Sequence, residues 1–352
     1  MKKFSKKIIA GLSVIALTGS FLMGCSQSDS QKKDTSDSKA QSSSQSDSKK
    51  EYNIGVLQLV QHEALDAATE GFSDALNELG KENNITFNID VQNASGDSAN
   101  CTTIANQFVS DKVDLIMANA TASLQAAATA TVTAQTPVIG TSITDFGTAL
   151  GIDMGSTDAT GINVSGSNDL APLDVQAEQI MTLFPDTKKV GCLYCSAEAN
   201  SQFQVDGVKE TLNEKYPDVE VTYFTFSDTN DVQAVAKKAA SESDVLYIPT
   251  DNTAASNGAV ISAACEEAKT PIICGEEGLF KSTNGTATYS ISFYQIGHKA
   301  GEMAYDVLVN GEDISKMNIY QSDELVAYYN KDMAEKYNAK IPDDYEAYDF
   351  ES

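Results

Sequence analysis

The sequence predicts an α/β protein built as two similar lobes, each a doubly wound parallel sheet, and three observations lead there. Two segments align without gaps at an offset of 136 residues: Gly55-Val56-Leu57 with Gly191-Cys192-Leu193, Gly71 with Gly207, and Leu76-Asn77-Glu78 with Leu212-Asn213-Glu214. The short runs GVLQLV, LIMANA, PVIG, GCLYC, VLYIP and PIICG are almost wholly apolar, as parallel strands covered by helices on both faces must be. Between them the spacing is helical. Leu65, Ala68, Phe72, Leu76 and Leu79 form one stripe, and Gly80 is placed to close that helix.

The alignment continues after small length changes. VDLIMANAT (113–121) matches SDVLYIPTD (243–251), and TPVIGTS (136–142) matches TPIICGE (270–276). Each copy therefore reads strand, helix, strand, helix, strand, helix, strand. One more helix, IGHKAGEMAYDVLVNG, follows the last strand of the second copy near TATYSISF.

The chain opens with MKKFSKK and an apolar stretch that runs into Leu22-Met23-Gly24-Cys25. This has the length and flanks of a cleaved signal, and its end resembles the lipobox of bacterial lipoproteins, in which the cysteine is acylated. The alternative is an N-terminal membrane anchor; either way the rest is exported. Residues 1–24 are then the signal peptide. Residues 25–51 are a solvated Ser/Lys/Asp tether carrying the lipid on Cys25.

All 24 basic residues are lysines, and the chain has neither arginine nor tryptophan. The formal net charge is −26, and nine of the lysines fall within residues 1–50, so the folded part is more acidic still. Such a surface repels nucleic acid. Any bound carboxylate must be held by lysine, hydroxyls or backbone N–H groups, because no guanidinium fork is available. Removing Cys25 from six cysteines leaves five, an odd number that argues against a full disulfide framework. Cys192-Leu193-Tyr194-Cys195 has CxxC spacing but lies in a predicted strand, whereas a reactive pair needs a helix start.

Doubly wound sheets bind ligands beyond the carboxyl ends of their strands. Those ends hold VQHEA, NATAS and GTSITD in lobe one, and CSAEANS, IPTDNTA and CGEEG in lobe two. The repeat pairs His62 with Glu198, Thr121 with Asp251, and Ser142 with Glu276. Lobe one thus offers hydroxyl donors (Thr121, Ser142, Thr144) and lobe two offers Glu198, Asp251 and Glu276, with Asn200, Ser201 and Asn252 between them. Donors facing acids suit a zwitterion: a free α-amino acid with its carboxylate on lobe one and its ammonium on lobe two. The plainer alternative is that these residues cap helices and form turns.

The stretches IGVLQLVQHEALDAATEGF, FVSDKVDLIMANAT, NVSGSND, LYCSAEANS and YIPTDN resemble ABC-transporter substrate-binding proteins. The branch is the tryptophan/tyrosine type, related to the leucine/isoleucine/valine-binding proteins, and the likeness covers residues 52 to about 342. It implies a type I periplasmic-binding-protein fold with a multi-strand hinge. Lobe one would span 52–165 with a returning helix near 294–309. Lobe two would span 166–293 and about 315–342, followed by an acidic tail, 343–352. The implied ligand contacts are Gln61, His62, Thr121, Ser142, Thr144, Asp145, Asn200, Ser201, Asp251 and Asn252; charge pairing adds Glu276. Phe146, Phe280 and Tyr294 are candidates for stacking on an aromatic ligand, or for simple packing.

The implied partners are a small amino acid, an ABC permease with its ATPase, and the membrane through Cys25. The protein would be a monomer on the extracellular face or in the periplasm, with no cofactor and no metal. An enzyme would need more than His62: the only other histidine, His298, falls on the final helix, and no nucleophile elbow or phosphate loop is present. The remaining alternatives are a branched-chain amino acid or nucleoside as ligand, or a surface sensor or adhesin on the same fold.

Overall fold

The computed structural model describes residues 50–350 except Ser156; the predicted signal peptide and Cys25 lie outside the described residues. Lobe one begins with β1 (Lys50–Gln58), α1 (Glu63–Asn83), β2 (Ile85–Asn93), α2 (Ser98–Asp111) and β3 (Leu115–Asn119). It continues with α3 (Thr121–Thr131), β4 (Val138–Ile143), α4 (Phe146–Leu150) and β5 (Val164–Asn168). Its five strands are parallel, in the order β2-β1-β3-β4-β5.

Lobe two follows with α5 (Leu173–Leu183), β6 (Lys189–Cys195), α6 (Ala199–Lys215), β7 (Glu220–Phe226), α7 (Val232–Glu242) and β8 (Val245–Ile248). Then come α8 (Asn252–Ser256), α9 (Gly258–Ala268), β9 (Ile272–Cys274), α10 (Glu277–Ser282) and β10 (Ala287–Ile291). After α11 (Phe293–Tyr305) the chain forms β11 (Leu325–Tyr329), α12 (Lys331–Tyr337) and β12 (Glu346–Ala347). The second sheet runs β12-β11-β10-β9-β8-β6-β7, parallel except where β11 meets β10.

The alternation of strand residues explains the double layer. In β6, Cys192 and Tyr194 join Val205, Leu212 and Tyr247 on one face, while Leu193 and Cys195 join Phe224, Ile248 and Cys274 on the other. Each face is closed by helices, so the strands are apolar on both sides. The five described cysteines are free and buried. Burial pushes the thiols of Cys192 and Cys265 up to about 12, which leaves them inert as nucleophiles.

The chain crosses between lobes three times: after β5, after β10, and on the way into β11. Two of these crossings are laced together. Tyr320 N donates to Gly166 O at 2.8 Å, and Asn168 N donates to Tyr320 O at 2.9 Å. This is the multi-strand hinge of a type I binding-protein fold.

Helix α11 returns to lobe one and lies backbone-to-backbone on α1. A Cβ on Gly71 would fall 2.2 Å from Tyr294 O, and one on Gly297 would fall 2.1 Å from Ala68 O. Only glycine permits that approach, and close packing outweighs its helix cost of roughly 1 kcal/mol.

Two expectations change. Gly80 does not close α1: the helix runs on to Asn83 and ends on Asn84 in the left-handed region, φ 55°. Gly80 is there because a Cβ would meet Ile85 O at 2.8 Å. The acidic segment from 343 is not a free tail up to residue 350. It supplies β12 beside β11, and Tyr348 packs edge-on against Phe280 at 5.8 Å between ring centroids. The aromatic rings among the acids are what the charge pattern concealed.

Candidate functional site

The strand ends of both sheets meet at a small cavity between the lobes, lined by His62, Leu65, Ser142, Asp169, Asn200, Thr250, Asp251, Asn252, Glu276 and Phe293. Three lining carboxylates are almost fully buried: Asp169, Asp251 and Glu276. No lysine lines the cavity.

Two of the acids are helix caps. Asp251 accepts from Cys195 N at 2.6 Å and Ala254 N at 2.7 Å, at the start of α8. Glu276 accepts from Gly278 N and Leu279 N at the start of α10. The capping alternative therefore holds for each one locally, and the repeat fold still aims both at the cavity. Asp169 stands at the end of β5 and accepts from Thr144 Oγ1 at 2.9 Å. Thr144 in turn accepts from Gln204 Nε2 at 3.0 Å, a buried bond between lobes.

Burial raises all three acids. Asp169 is pushed up to about 6 and Glu276 to about 8. Asp251 is raised first by burial and then by the neighbouring Glu198 carboxylate. Desolvation disfavours the anion where no cation is at hand.

The other lining groups are hydrogen-bonding. Ser142 sits in the left-handed region at φ 57°, where the β4–β5 register shifts, and its buried Oγ has no partner. Strain of this kind collects at ligand sites. His62 lies across the lobes from Asn252, with Nε2 3.1 Å from Oδ1, and its buried Nδ1 has no partner. Burial lowers the His62 pKa below its ordinary value, so the ring is neutral.

Of the residues singled out from sequence, His62, Ser142, Asn200, Asp251, Asn252 and Glu276 line the cavity. Five others do not, for physical reasons. Gln61 is exposed. Thr121 starts α3 outside the lining. Thr144 is turned onto Asp169. The Asp145 carboxylate caps α4 through Thr148 N. Ser201 Oγ donates to Thr250 O at 3.1 Å. The three stacking candidates also lie elsewhere. Phe146 and Phe280 are in the lobe cores, and Tyr294 bonds Asp74 through its hydroxyl.

Asp169, Thr250, Leu65 and Phe293 were missed. Asp169 had a signal, since it ends the last strand of lobe one, where ligands bind. It also breaks the expected division by charge, because it is an acid at a lobe-one strand end.

A family model for ABC transporter substrate binding proteins matches residues 53–352. The chain belongs to that family. It is 38% identical over 331 residues to a tyrosine-binding protein of Clostridioides difficile, covering 93% of this chain and 91% of the relative. Among solved structures it resembles a Streptococcus pneumoniae domain in complex with L-Trp, at 29% identity and TM-score 0.78, over 84% of this chain and 99% of that one. It also resembles the ligand-free, open structure of a Clostridium difficile substrate-binding protein with adhesive properties. There the identity is 34% and the TM-score 0.63, with the same coverage.

The chain is thus nearer in sequence to the open structure and nearer in shape to the complex. In this structure the lobes are joined across the cleft by the His62–Asn252 and Thr144–Gln204 bonds. Among the described residues no helix is long and apolar enough to cross a membrane. Among them, too, no group of three or more acidic, histidine or cysteine side chains could hold a metal ion.

Proposed function

We propose that this ABC substrate-binding protein is an extracytoplasmic lipoprotein, held at the membrane by acylated Cys25, that closes over one free aromatic amino acid. It delivers that ligand to a permease driven by an ATPase. It works as a monomer without cofactor, and its role is capture rather than catalysis.

The observation that carries the reading is the set of three buried carboxylates around a small cavity with no cationic side chain. An ammonium supplies the missing charge and relieves the desolvation of Asp169, Asp251 and Glu276. The Ser142 hydroxyl is the donor for the ligand carboxylate, with Asn200 and Thr250 beside it, and Leu65 and Phe293 are the apolar lining. The tyrosine-binding and L-Trp-bound relatives favour an aromatic side chain.

A thermal-shift screen of the twenty amino acids tests this. Stabilisation confined to Tyr, Trp and Phe is expected, by linkage of binding to stability. A shift confined to Leu, Ile and Val, or to nucleosides, would overturn it.

A further inference from the structure

We propose that Glu198, acting through Asn252, fixes the tautomer of His62 so that its Nδ1 accepts a hydrogen bond from the side chain of the bound ligand. The site thereby selects aromatic amino acids bearing an N–H or O–H, tyrosine and tryptophan, over phenylalanine. This rests on the amino-acid reading above.

The relay follows from donor and acceptor chemistry. Asn252 Nδ2 lies 2.7 Å from Glu198 Oε2. A carboxylate can only accept, so that contact fixes which end of the amide is nitrogen. The other end, Oδ1, then faces His62 Nε2 at 3.1 Å. An amide oxygen can only accept, so Nε2 carries the proton. In a neutral ring Nδ1 is then bare, an acceptor, and it is buried without a partner. Glu198 is held for this task, its other oxygen accepting from Thr253 N and Oγ1, both at 2.8 Å.

Elimination identifies the ligand group. On the amino-acid reading the ammonium goes to the buried carboxylates that line the cavity, which outcompete a neutral imidazole for a cation. The ligand carboxylate has no proton to give. The donor left for Nδ1 is on the side chain, a phenol or an indole. A ligand without one leaves Nδ1 buried and unpaired, which sites built to hydrogen-bond penalise strongly.

Calorimetry with L-tyrosine, L-tryptophan and L-phenylalanine tests the selection. The wild type should bind the first two about ten- to a hundredfold tighter than the third. His62→Leu should bring the ratio near one. Glu198→Gln keeps the shape but lets the Asn252 amide flip, and should erode the ratio as well. Glu198→Gln with Asn252→Asp restores an acceptor-only group facing Nε2, and should restore the ratio. Equal affinity for L-tyrosine and L-phenylalanine in the wild type, or a ratio untouched by Glu198→Gln, overturns the proposal. No heat with any of the three would instead sink the amino-acid reading.

The relay has its own readout. With only two histidines in the chain, a ¹⁵N imidazole spectrum with His298→Gln as the assignment control shows the His62 tautomer directly. A proton on Nε2 that becomes shared with Nδ1 in Glu198→Gln is expected; a proton on Nδ1 in the wild type overturns the relay.

Discussion

Gly278 of lobe two lies against the backbone of Ala64 in lobe one: a Cβ at 278 would sit 2.9 Å from Ala64 N and 3.1 Å from Ala64 Cβ. The contact joins the start of α10, beside the lining residue Glu276, to the start of α1, beside His62. It bridges the two lobes directly. Backbone atoms on a rigid helix start cannot yield by half an ångström without moving the helix. Gly278→Ala should therefore prop the cleft open without disturbing either core. We expect L-tyrosine affinity to fall about tenfold or more, with the unfolding midpoint of the unliganded protein within a few degrees of wild type. Small-angle scattering should lose the contraction that the ligand causes in the wild type. Normal contraction in the variant would refute this account of closure.

The two doubly wound sheets were legible because parallel strands must be apolar on both faces and the repeat preserved that pattern twice. His62, Ser142, Asn200, Asp251, Asn252 and Glu276 were legible because strand-end positions recur in both copies. What stayed hidden depends on distances between segments remote in sequence. Whether Phe293 or Tyr294 meets the cavity is a matter of one residue of helix phase at the hinge. Whether Thr144 faces a ligand or Asp169 is settled by Gln204, 60 residues away. The role of Tyr348 depends on a β12 pairing of only two residues, too short to leave a periodic signal.

A second contact secures the same closed face. Lys281 on α10 pairs with Glu63 on α1, and also with Glu277 on its own helix at 2.8 Å. Its ammonium lies 4.8 Å from the Tyr348 ring centroid. Partial burial works against the charge, but the hydrogen bonds to Glu277 and Glu63 hold the Lys281 pKa above its ordinary value. An ion pair half-shielded by a ring is stronger than a free surface pair, yet still screened by salt. Lys281→Ala should weaken L-tyrosine binding about three- to tenfold, mostly through faster release. Glu63→Lys should do the same, and Glu63→Lys with Lys281→Glu should recover part of the loss. Stopped-flow release rates at low and high salt measure this. Equal rates for wild type and Lys281→Ala at low salt would show that the pair does not hold the cleft shut.

The buried acids give binding a definite dependence on pH. Free carboxylates titrate near 4 in an unfolded chain, whereas Asp169 is held at about 6 and Glu276 at about 8 by burial, with Asp251 also raised. Between those values the folded protein binds more protons than the unfolded one. The stability of the unliganded protein should therefore be greatest below about pH 4 as far as these groups decide it. It falls as pH rises through 6 and towards 8. An ammonium in the cavity reverses the preference, because it favours the anions and draws their pKa values down. Binding should then release protons between about pH 6 and 8, and affinity should rise with pH across that window. Calorimetry in buffers of different ionisation enthalpy counts the protons. Asp169→Asn should reduce the number released near pH 6 and leave release at higher pH to Glu276 and Asp251. Proton uptake on binding, or affinity that falls from pH 6 to 8, would mean that the ammonium does not lie among these three acids.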